Sequence, residues 1–174
     1  MKSVFEHLGL VFRPVERGDL QAIVELRNDY STWIHLTDPR PLKPGLQEGW
    51  LESVNRSSDR FYWTVQTSDQ HFVGLVRMDE YDPLNRSIRV GADVALHLRR
   101  MGYGLKIYAG LKEYCFKYLG VHRIWLLVLE TNTAAIGLYE KAGFKLEGRQ
   151  RAAIWRFGRW VDYLMMSLLE GEDK

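Results

Sequence analysis

The chain has 174 residues, a formal net charge of +2 at pH 7 and a single cysteine, Cys115. This length predicts one domain, residues 1–174, that buries roughly two-thirds of the surface of the unfolded chain. The near-neutral charge gives no footprint for nucleic acid, and a lone cysteine excludes an internal disulfide framework. No apolar run approaches the ~18 residues of a membrane span, and Met1–Leu10 lacks the apolar core of a secretion signal. These totals predict a cytoplasmic protein that binds neither nucleic acid nor membrane.

The first half of the sequence predicts helices at the front and then a meander of strands. Asp19 is positioned to cap a helix in which Leu20, Ile23 and Val24 follow at helical spacing. Three prolines interrupt the segment Asn28–Pro44, which is therefore expected to be a loop. The other elements expected in this half are a strand at Leu10–Pro14, a turn of helix at Ser31–Leu36, a helix at Leu46–Val54, and strands at Phe61–Thr67, His71–Tyr81 and Ser87–Leu96.

The second half predicts alternating helices and strands. An apolar stripe with three-and-four spacing follows Gly104, which predicts a helix. The members of this stripe are Leu105, Tyr108, Leu111, Cys115 and Leu119. Val121–Glu130 is an almost continuous apolar run, as expected for a strand that is covered on both faces. The last expected elements are the helix Thr133–Lys141 and the strands Phe144–Ala152 and Trp160–Leu169. This order predicts a mixed α/β sheet with helices on both faces.

The segment Leu96–Leu105 joins a predicted strand to a predicted helix and contains two glycines, Gly102 and Gly104. Glycine lets backbone N–H groups approach a ligand without a Cβ in the way. The unpaired N–H groups and the dipole at a helix N-terminus favour an anion such as phosphate, and Arg99 and Arg100 add formal charge. This segment alone is equally consistent with an ordinary turn before a surface helix.

Three segments become more specific when they are considered together. They are Arg99–Gly104, which matches Gln/Arg-x-x-Gly-x-Gly/Ala, Asn132–Phe144, which matches Asn-x-x-Ala-x-x-Leu-Tyr-x-x-x-Gly-Phe, and Gly158–Tyr163, which matches Gly-x-Trp/Tyr-x-Asp. In this order they resemble the GNAT (Gcn5-related N-acetyltransferase) superfamily. The last of them, together with the opening Arg13–Leu20, is typical of the branch that contains ribosomal-protein alanine acetyltransferases and bacterial spermidine acetyltransferases.

The resemblance implies an α/β (α+β) fold with a mixed, mostly antiparallel sheet of about six to seven strands and helices on both faces. It also implies acetyl-CoA as cofactor, with pantetheine in the gap of a splayed strand pair and the pyrophosphate on backbone amides of the glycine turn. The cofactor-binding residues implied in this way are Ala92, Asp93, Val94, Arg99, Arg100, Met101, Gly102, Tyr103, Gly104, Leu105 and Asn132. Asn132 is also expected to cap the helix that follows it.

Tyr139 is the residue most directly implied in the chemistry. When an amine attacks a thioester, the leaving group is a thiolate, whose pKa near ~8.5 makes protonation useful. The matching tyrosine of the family holds a phenol near the sulfur and donates this proton. Tyr139 is therefore expected to be the general acid.

The general base has several candidates, because an alkylammonium acceptor with a pKa near ~10 must lose a proton before it attacks. The groups on or near the flanking strands are Asp79, Glu80, Asp93 and His97, and a chain of waters is the alternative. Glu80 matches an acidic position of spermidine acetyltransferases, so the resemblance implies a catalytic and substrate-binding role for it.

The acceptor site is expected under the irregular loop Asn28–Pro44, where His35 and Asp38 are the implied substrate-binding residues. Asp38 matches an acidic position of the polyamine enzymes. Arg89, however, stands where those enzymes tend to be acidic, and their cluster of acids before Pro39 is reduced here to one. A polyamine acceptor is put in doubt by this departure.

Three functional hypotheses follow from the sequence. The leading one is acetyl transfer from acetyl-CoA to a primary amine of a small molecule, such as a polyamine or an amino sugar, by direct attack on the thioester. The alternatives are acetylation of a protein N-terminus, such as that of a ribosomal protein, and a non-catalytic acyl-CoA-binding regulatory module.

No metal site is expected, because the five histidines lack ligand spacing. The final strand and Arg149–Arg159 are candidates for pairing across a homodimer.

Overall fold

The computed structural model describes residues 5–43 and 45–172, so Pro44, the first residues of Met1–Leu10 and both ends of the expected domain lie outside the description. The strands of these residues are β1 (Phe5–His7), β2 (Leu10–Pro14), β3 (Phe61–Thr67), β4 (Phe72–Asp82), β5 (Ser87–Val94), β6 (Arg123–Leu129), β7 (Lys145–Arg156) and β8 (Arg159–Leu169). They form one sheet of eight strands in the order β1-β2-β3-β4-β5-β6-β8-β7. All neighbours are antiparallel except β5 and β6, which are parallel.

The helices lie between the strands in sequence and cover the sheet. They are α1 (Leu20–Asn28), α2 (Tyr30–Trp33), α3 (Gln47–Arg56), α4 (Tyr103–Glu113), which a π turn continues to Tyr118, and α5 (Thr133–Lys141). Short 3-10 turns at Arg17–Asp19 and Leu96–Leu98 precede α1 and α4. Among these helices, none is long and apolar enough to cross a membrane.

The side chains of β4 alternate between two apolar clusters, one on each face of the sheet, because successive side chains of a strand point to opposite faces. Leu75 packs with Ile23 of α1 and Leu51 of α3 on one face. Val76 and Met78 belong to the larger cluster on the other face, together with residues of α4 and α5. The predicted sheet with helices on both faces is confirmed.

The sheet opens between β5 and β6. These strands pair only at Ser87, Ile88 and Arg89 of β5, which lie opposite Arg123–Trp125 of β6. Beyond that point, within residues 5–43 and 45–172, β5 pairs with β4 alone and β6 with β8 alone. The expected splayed strand pair is therefore present, and its opening lies beside the last five residues of β5.

The structure corrects the sequence prediction at a few element ends. The sheet has eight strands rather than about six or seven, because Phe5–His7 forms a short hairpin with β2 that three residues are too few to predict. β5 ends at Val94, since Leu96–Leu98 turns into a 3-10 helix. β7 extends to Arg156 because the hairpin turn lies at Phe157 and Gly158, which both have positive φ.

Candidate active site

The turn before α4 has the backbone geometry of an anion site. Gly102 is the N-cap with φ 86°, a left-handed conformation that glycine adopts without steric cost, and Arg100 also has a positive φ of 61°. Tyr103, Gly104 and Leu105 are the first residues of α4, so their N–H groups have no partner within the helix. These donors and the positive end of the helix dipole suit a phosphate group.

Gly104 has a second role in this turn, because it brings α4 close to α5. A Cβ built on Gly104 would lie 3.0 Å from a methyl carbon of Leu138. The two helices that flank the opening of the sheet therefore approach each other at a position where a larger residue would need Leu138 to move.

The Arg99 side chain points toward the predicted loop Asn28–Pro44, which we call the acceptor loop, and is hydrogen-bonded there. Its Nε donates to the carbonyl oxygen of Val94 (3.1 Å), and its other nitrogens donate to the hydroxyls of Ser31 (2.9 Å) and Thr32 (2.5 Å) of α2. The guanidinium therefore joins the end of β5 to the segment that was expected to cover the acceptor. The cofactor role implied for Arg99 remains a prediction.

Tyr139 lies on α5, half-buried, and its ring packs edge-to-face on Tyr108 of α4 with 5.3 Å between ring centroids. Phe144 packs on both rings, 6.0 Å from Tyr139 and 5.7 Å from Tyr108. Burial raises the pKa of the Tyr139 hydroxyl, a hydrogen bond with Tyr108 opposes this, and the charges of Arg77 and Asp93 act on it with opposite signs. Tyr139 therefore keeps its proton at neutral pH and stands within electrostatic range of two charged groups of the sheet.

Asn132 is the N-cap of α5, as predicted. Its side-chain oxygen accepts a hydrogen bond from the backbone N–H of Ala135 at 3.2 Å. The cap fixes the start of the helix that carries Tyr139 seven residues later. A contact of Asn132 with cofactor remains a prediction.

Two arginines and one carboxylate lie on the α1 face of the sheet beside the opening. Asp93 of β5 has a side chain that is only 10% exposed, and it pairs with Arg27 of α1 (Nη1 to Oδ2, 3.3 Å) and with Arg77 of β4 (Nη2 to Oδ1, 3.5 Å). A Cβ built on Gly91 would lie 3.1 Å from Nη2 of Arg77, so the guanidinium rests directly against β5 where β5 has left β6. The backbone of Asp93 therefore lies beside the opening, while its carboxylate pairs with Arg27 and Arg77.

Glu80 lies at a bulge of β4 with a positive φ of 54°, next to the part of the sheet where β5 and β6 are still paired. Its exposed carboxylate pairs with Arg89 at 3.0 Å. Arg89 also contacts Asp79 at 3.6 Å, and Asp79 accepts a hydrogen bond from the hydroxyl of Tyr62 at 2.9 Å. Both acids are therefore engaged by Arg89, and the role of Glu80 as base remains a prediction.

Arg156 of β7, the last strand in the sheet order, hydrogen-bonds to the acceptor loop. Arg156 is 9% exposed, and its Nη2 donates to the carbonyl oxygens of Leu36 (2.5 Å) and Thr37 (2.9 Å). Tyr163 of β8 donates its hydroxyl to that of Thr37 at 3.1 Å. These bonds hold the middle of the loop from the β7–β8 hairpin, while Arg99 holds its beginning.

The two implied acceptor residues of this loop differ in their surroundings. Burial and the nearby charge of Arg99 lower the pKa of His35, whose buried Nδ1 has no hydrogen-bond partner among the described residues. Asp38 is exposed, and hydrogen bonds from Arg40 lower its pKa to about 2. His35 is therefore neutral and partly enclosed at neutral pH, whereas Asp38 is ionised and already paired.

Sequence reasoning missed the roles of Arg77 and Tyr108. A signal for Arg77 existed, because it is a charged residue between the apolar Val76 and Met78 of β4 and shares a face of the strand with Leu75 and Asp79. Tyr108 was recognised only as part of the apolar stripe, yet its fully buried hydroxyl interacts with that of Tyr139. A hydroxyl in a core stripe is the feature that distinguishes it from its leucine neighbours.

The single cysteine agrees with its expected structural role. Cys115 is fully buried in the π turn that continues α4, and burial raises the pKa of its thiol to about 12. A protonated, enclosed thiol is neither a nucleophile nor a ligand.

The residues present fit acetyl-CoA. The turn Arg99–Gly104 offers unpaired amides, the opening between β5 and β6 leaves one edge of β5 without a partner strand, and Tyr139 carries a protonated hydroxyl on the helix beside it. An extended amide chain can add to a free strand edge through backbone hydrogen bonds, which require no particular side chain.

The family model for the acetyltransferase (GNAT) domain matches residues 9–145 of this chain. Spermidine N(1)-acetyltransferase of Vibrio cholerae is 28% identical over 94% of this chain and 94% of its own length. An L-methionine sulfoximine/L-methionine sulfone acetyltransferase of Pseudomonas paraeruginosa is 31% identical over 87% of this chain and 89% of its own.

The fold has close counterparts among solved structures. The crystal structure of spermidine N-acetyltransferase from Vibrio cholerae in complex with CoA and spermine superposes with a TM-score of 0.88 at 25% identity. The match covers 94% of this chain and 97% of that one. The chain therefore belongs to the GNAT acetyltransferase family and is an acetyl-CoA-dependent N-acetyltransferase.

Proposed function

We propose that this protein transfers the acetyl group of acetyl-CoA to the primary amine of a small molecule, by direct attack of the amine on the thioester. The observation that carries the proposal is the position of Tyr139, whose hydroxyl is protonated at neutral pH, on the helix beside the splayed strands. Relatives that act on spermidine and on amino-acid analogues, both small-molecule amines, support the same class of acceptor.

The donor side of the site is proposed to use backbone groups more than side chains. Amides of Tyr103, Gly104 and Leu105 are available to the pyrophosphate, and the free edge of Ala92–Val94 to pantetheine. Arg100 and Met101 are exposed on the turn and lie beside the same anion, which Arg100 would balance in charge. When bound, acetyl-CoA supplies the activated carbonyl and a thiolate leaving group.

The proposed proton donor to this thiolate is the hydroxyl of Tyr139, which holds a proton at neutral pH. The incoming ammonium must lose a proton as well. Asp93, whose charge acts on Tyr139, and Glu80 at the β4 bulge are the proposed acceptors, directly or through water. Glu80 is held by Arg89 and Asp93 by two arginines, so either acid accepts the proton from a fixed position.

Polyamines are the first acceptors to test, because the relatives from Vibrio cholerae and Escherichia coli are spermidine acetyltransferases. Release of free CoA thiol is measured with spermidine, spermine, amino sugars, amino acids and peptides with free N-termini. We expect release with at least one small-molecule amine and none above background with the peptides. Preference for peptides would favour the N-terminal acetyltransferase instead, and CoA binding without release with any amine would indicate a binding module.

We also propose that two copies of the chain pair through the β7–β8 hairpin. β7 is the last strand in the sheet order, and Trp155, Phe157 and Trp160 at the hairpin tip are more than half exposed. A long open edge beside apolar side chains is typical of a surface that another chain covers. Sedimentation at increasing concentration should give the mass of a dimer, and a monomer at all concentrations would contradict the pairing.

The reduced, lone Cys115 suits the cytoplasm, which is the proposed location.

A further inference from the structure

A cavity of about 130 Å³ lies on the α1 face of the sheet, between α1, α3 and the strands β3 and β4. Engineered protein cavities of roughly 150 Å³ accept a benzene molecule, so this space suits a small organic group. Trp50 and Tyr62 line it and meet edge-to-face with 5.3 Å between ring centroids. Burial and the neighbouring Asp79 raise the pKa of Tyr62 to about 12, so its ring is a neutral wall.

The charged groups that line this cavity are Arg27 and Arg77, and no acidic residue lines it among the described residues. The two guanidiniums share the carboxylate of Asp93. Asp79 acts on both of them as well, but it also pairs with Arg89 and accepts a hydrogen bond from Tyr62. The charged side chains that line the cavity itself are therefore both positive.

Two further observations show that the two guanidiniums are not equally satisfied. Burial and repulsion from Arg77 lower the pKa of Arg27, whereas at Arg77 the effect of burial is outweighed by Asp93, Tyr62 and Asp79, which raise its pKa. The Nε of Arg77 is buried and has no acceptor among the described residues, which is costly for a charged donor unless a ligand supplies one.

The cavity also leads toward the reaction centre. Arg77 lines the cavity and rests against Gly91, just beyond the last residue at which β5 pairs with β6. Its charge acts on the Tyr139 hydroxyl, which lies on the opposite side of the sheet. A group held by Arg77 would therefore have its neighbouring atoms close to the opening in which the thioester is expected.

We propose that Arg27 and Arg77 form an anion-binding subsite of the acceptor, so that this enzyme acetylates amines that carry a carboxylate or phosphate near the amine. Guanidinium groups bind both anions through paired, charge-assisted hydrogen bonds. A polyamine would bring further positive charge against this wall. The inference rests on the proposed function and specifies its substrate class.

Two arms of the test compare acceptors that differ only in the anionic group: L-amino acids against their amides, and glucosamine 6-phosphate against glucosamine. A third arm uses the polyamines spermidine and spermine, which carry no anionic group. Release of CoA thiol gives kcat/KM for each at fixed, saturating acetyl-CoA. We expect the anionic member of at least one pair to be favoured about tenfold or more, the size of a charge-assisted hydrogen bond. The first two arms distinguish a carboxylate from a phosphate.

Variants then assign the preference to the two arginines. Arg77→Gln and Arg27→Gln should remove most of the preference for the anionic member, with KM for acetyl-CoA unchanged. Arg60→Gln is the matched control, because Arg60 is exposed and pairs only at the surface with Asp59. If a cavity variant does not fold, Arg77→Lys keeps the charge while it removes Nε and the paired geometry, and should lower the preference partially.

The outcomes separate this inference from the function on which it rests. Equal or greater kcat/KM for neutral members, or for polyamines, would overturn the anion subsite and leave the small-molecule acetyltransferase intact. If no amine releases CoA, the proposed function itself fails. The subsite is then judged by the rise in melting temperature with the amino acids and glucosamine 6-phosphate, which must exceed that with their neutral partners and vanish in Arg77→Gln.

Discussion

At the scale of single residues, the chemistry depends on how burial and neighbours adjust groups that are ordinary in the sequence. Tyr139 differs from Tyr118 mainly in its surroundings, because Tyr139 packs on Tyr108 and Phe144 whereas Tyr118 is 65% exposed. Burial raises the pKa of the Tyr139 hydroxyl, and its packing brings it under the influence of Tyr108, Arg77 and Asp93. The same residue type thus becomes a proton donor at one position and a surface group at the other.

Replacing Tyr139 with Phe removes the hydroxyl and preserves the ring packing. We expect kcat to fall by roughly tenfold or more, on the ~10²–10⁴ scale of general acid–base catalysis, with acetyl-CoA affinity nearly unchanged. Initial rates of thiol release and the shift in melting temperature with acetyl-CoA measure the two quantities. Tyr118→Phe serves as the control, and an unaltered kcat in Tyr139→Phe would remove this hydroxyl from the mechanism.

Gly102 is the residue on which the anion turn depends. Valine at a φ of 86° is strained and adds a branched side chain beside the free amides of α4, so acetyl-CoA should no longer raise the melting temperature of Gly102→Val. Gly120→Val imposes a similar strain, at a φ of 64° with open space around the new Cβ, outside the turn. That control should melt earlier yet still respond to acetyl-CoA. A normal response in Gly102→Val would refute the role of the turn.

At the scale of elements, the acceptor loop is held at two points by arginines from distant parts of the chain. Arg99, which follows the 3-10 turn after β5, hydrogen-bonds to α2, and Arg156 of β7 hydrogen-bonds to the carbonyl oxygens of Leu36 and Thr37. Arg99 also hydrogen-bonds to the carbonyl oxygen of Val94 in β5, so the loop is positioned by the same sheet that forms the cofactor opening. The donor and acceptor sites are therefore linked by hydrogen bonds from side chains rather than by continuous backbone.

The substitution Arg156→Met tests this connection. Loss of two hydrogen bonds to loop carbonyls should loosen the acceptor loop, so KM for the acceptor amine should rise several-fold while KM for acetyl-CoA stays within error. The exposed neighbour Arg151 provides the control Arg151→Met. Equal increases in both KM values would mean that Arg156 supports the whole fold and not the loop.

At the scale of the whole molecule, a buried ion pair near the start of the chain links β2, α1 and β3. Asp19, 9% exposed, receives two hydrogen bonds from Arg13 (2.7 and 2.8 Å), one from the Glu16 amide and one from the Thr64 hydroxyl. Burial raises the pKa of Asp19, but the hydrogen bonds outweigh it, so the pKa is lowered overall. The pair therefore favours the folded state only while Asp19 is ionised.

This sign predicts the pH dependence of unfolding. Because the pKa of Asp19 is lower in the folded than in the unfolded chain, its contribution is complete above the unfolded value of ~4 and is lost as pH falls through the folded value. Urea unfolding of wild type and Asp19→Asn should therefore differ at pH 7, by roughly 3 kcal/mol for breaking a buried pair, and the difference should shrink as the pH falls below the unfolded value. The exposed Asp59→Asn is the control, and a difference that persists undiminished at low pH would contradict this account.

The sequence by itself determined the local features of the protein. Helical spacing in α4, the apolar run of β6, the helix Thr133–Lys141 with its Asn132 cap, and the glycine turn are each encoded within about a dozen neighbouring residues. The motif order then identified the GNAT family, and with it acetyl-CoA and the candidate Tyr139.

Only the tertiary structure decided which distant groups meet. Arg27 and Arg77 come from a helix and a strand separated by fifty residues, yet they share Asp93 and line one cavity. Arg99, assigned to the cofactor from its motif, directs its guanidinium to α2. Such contacts depend on strand order and on the splay of β5 from β6, which carry no local periodicity, and a charged side chain in a sequence does not reveal its partner. The cofactor-binding turn is therefore recognisable from neighbouring residues, whereas the cavity beside the opening is formed by residues that only folding brings together.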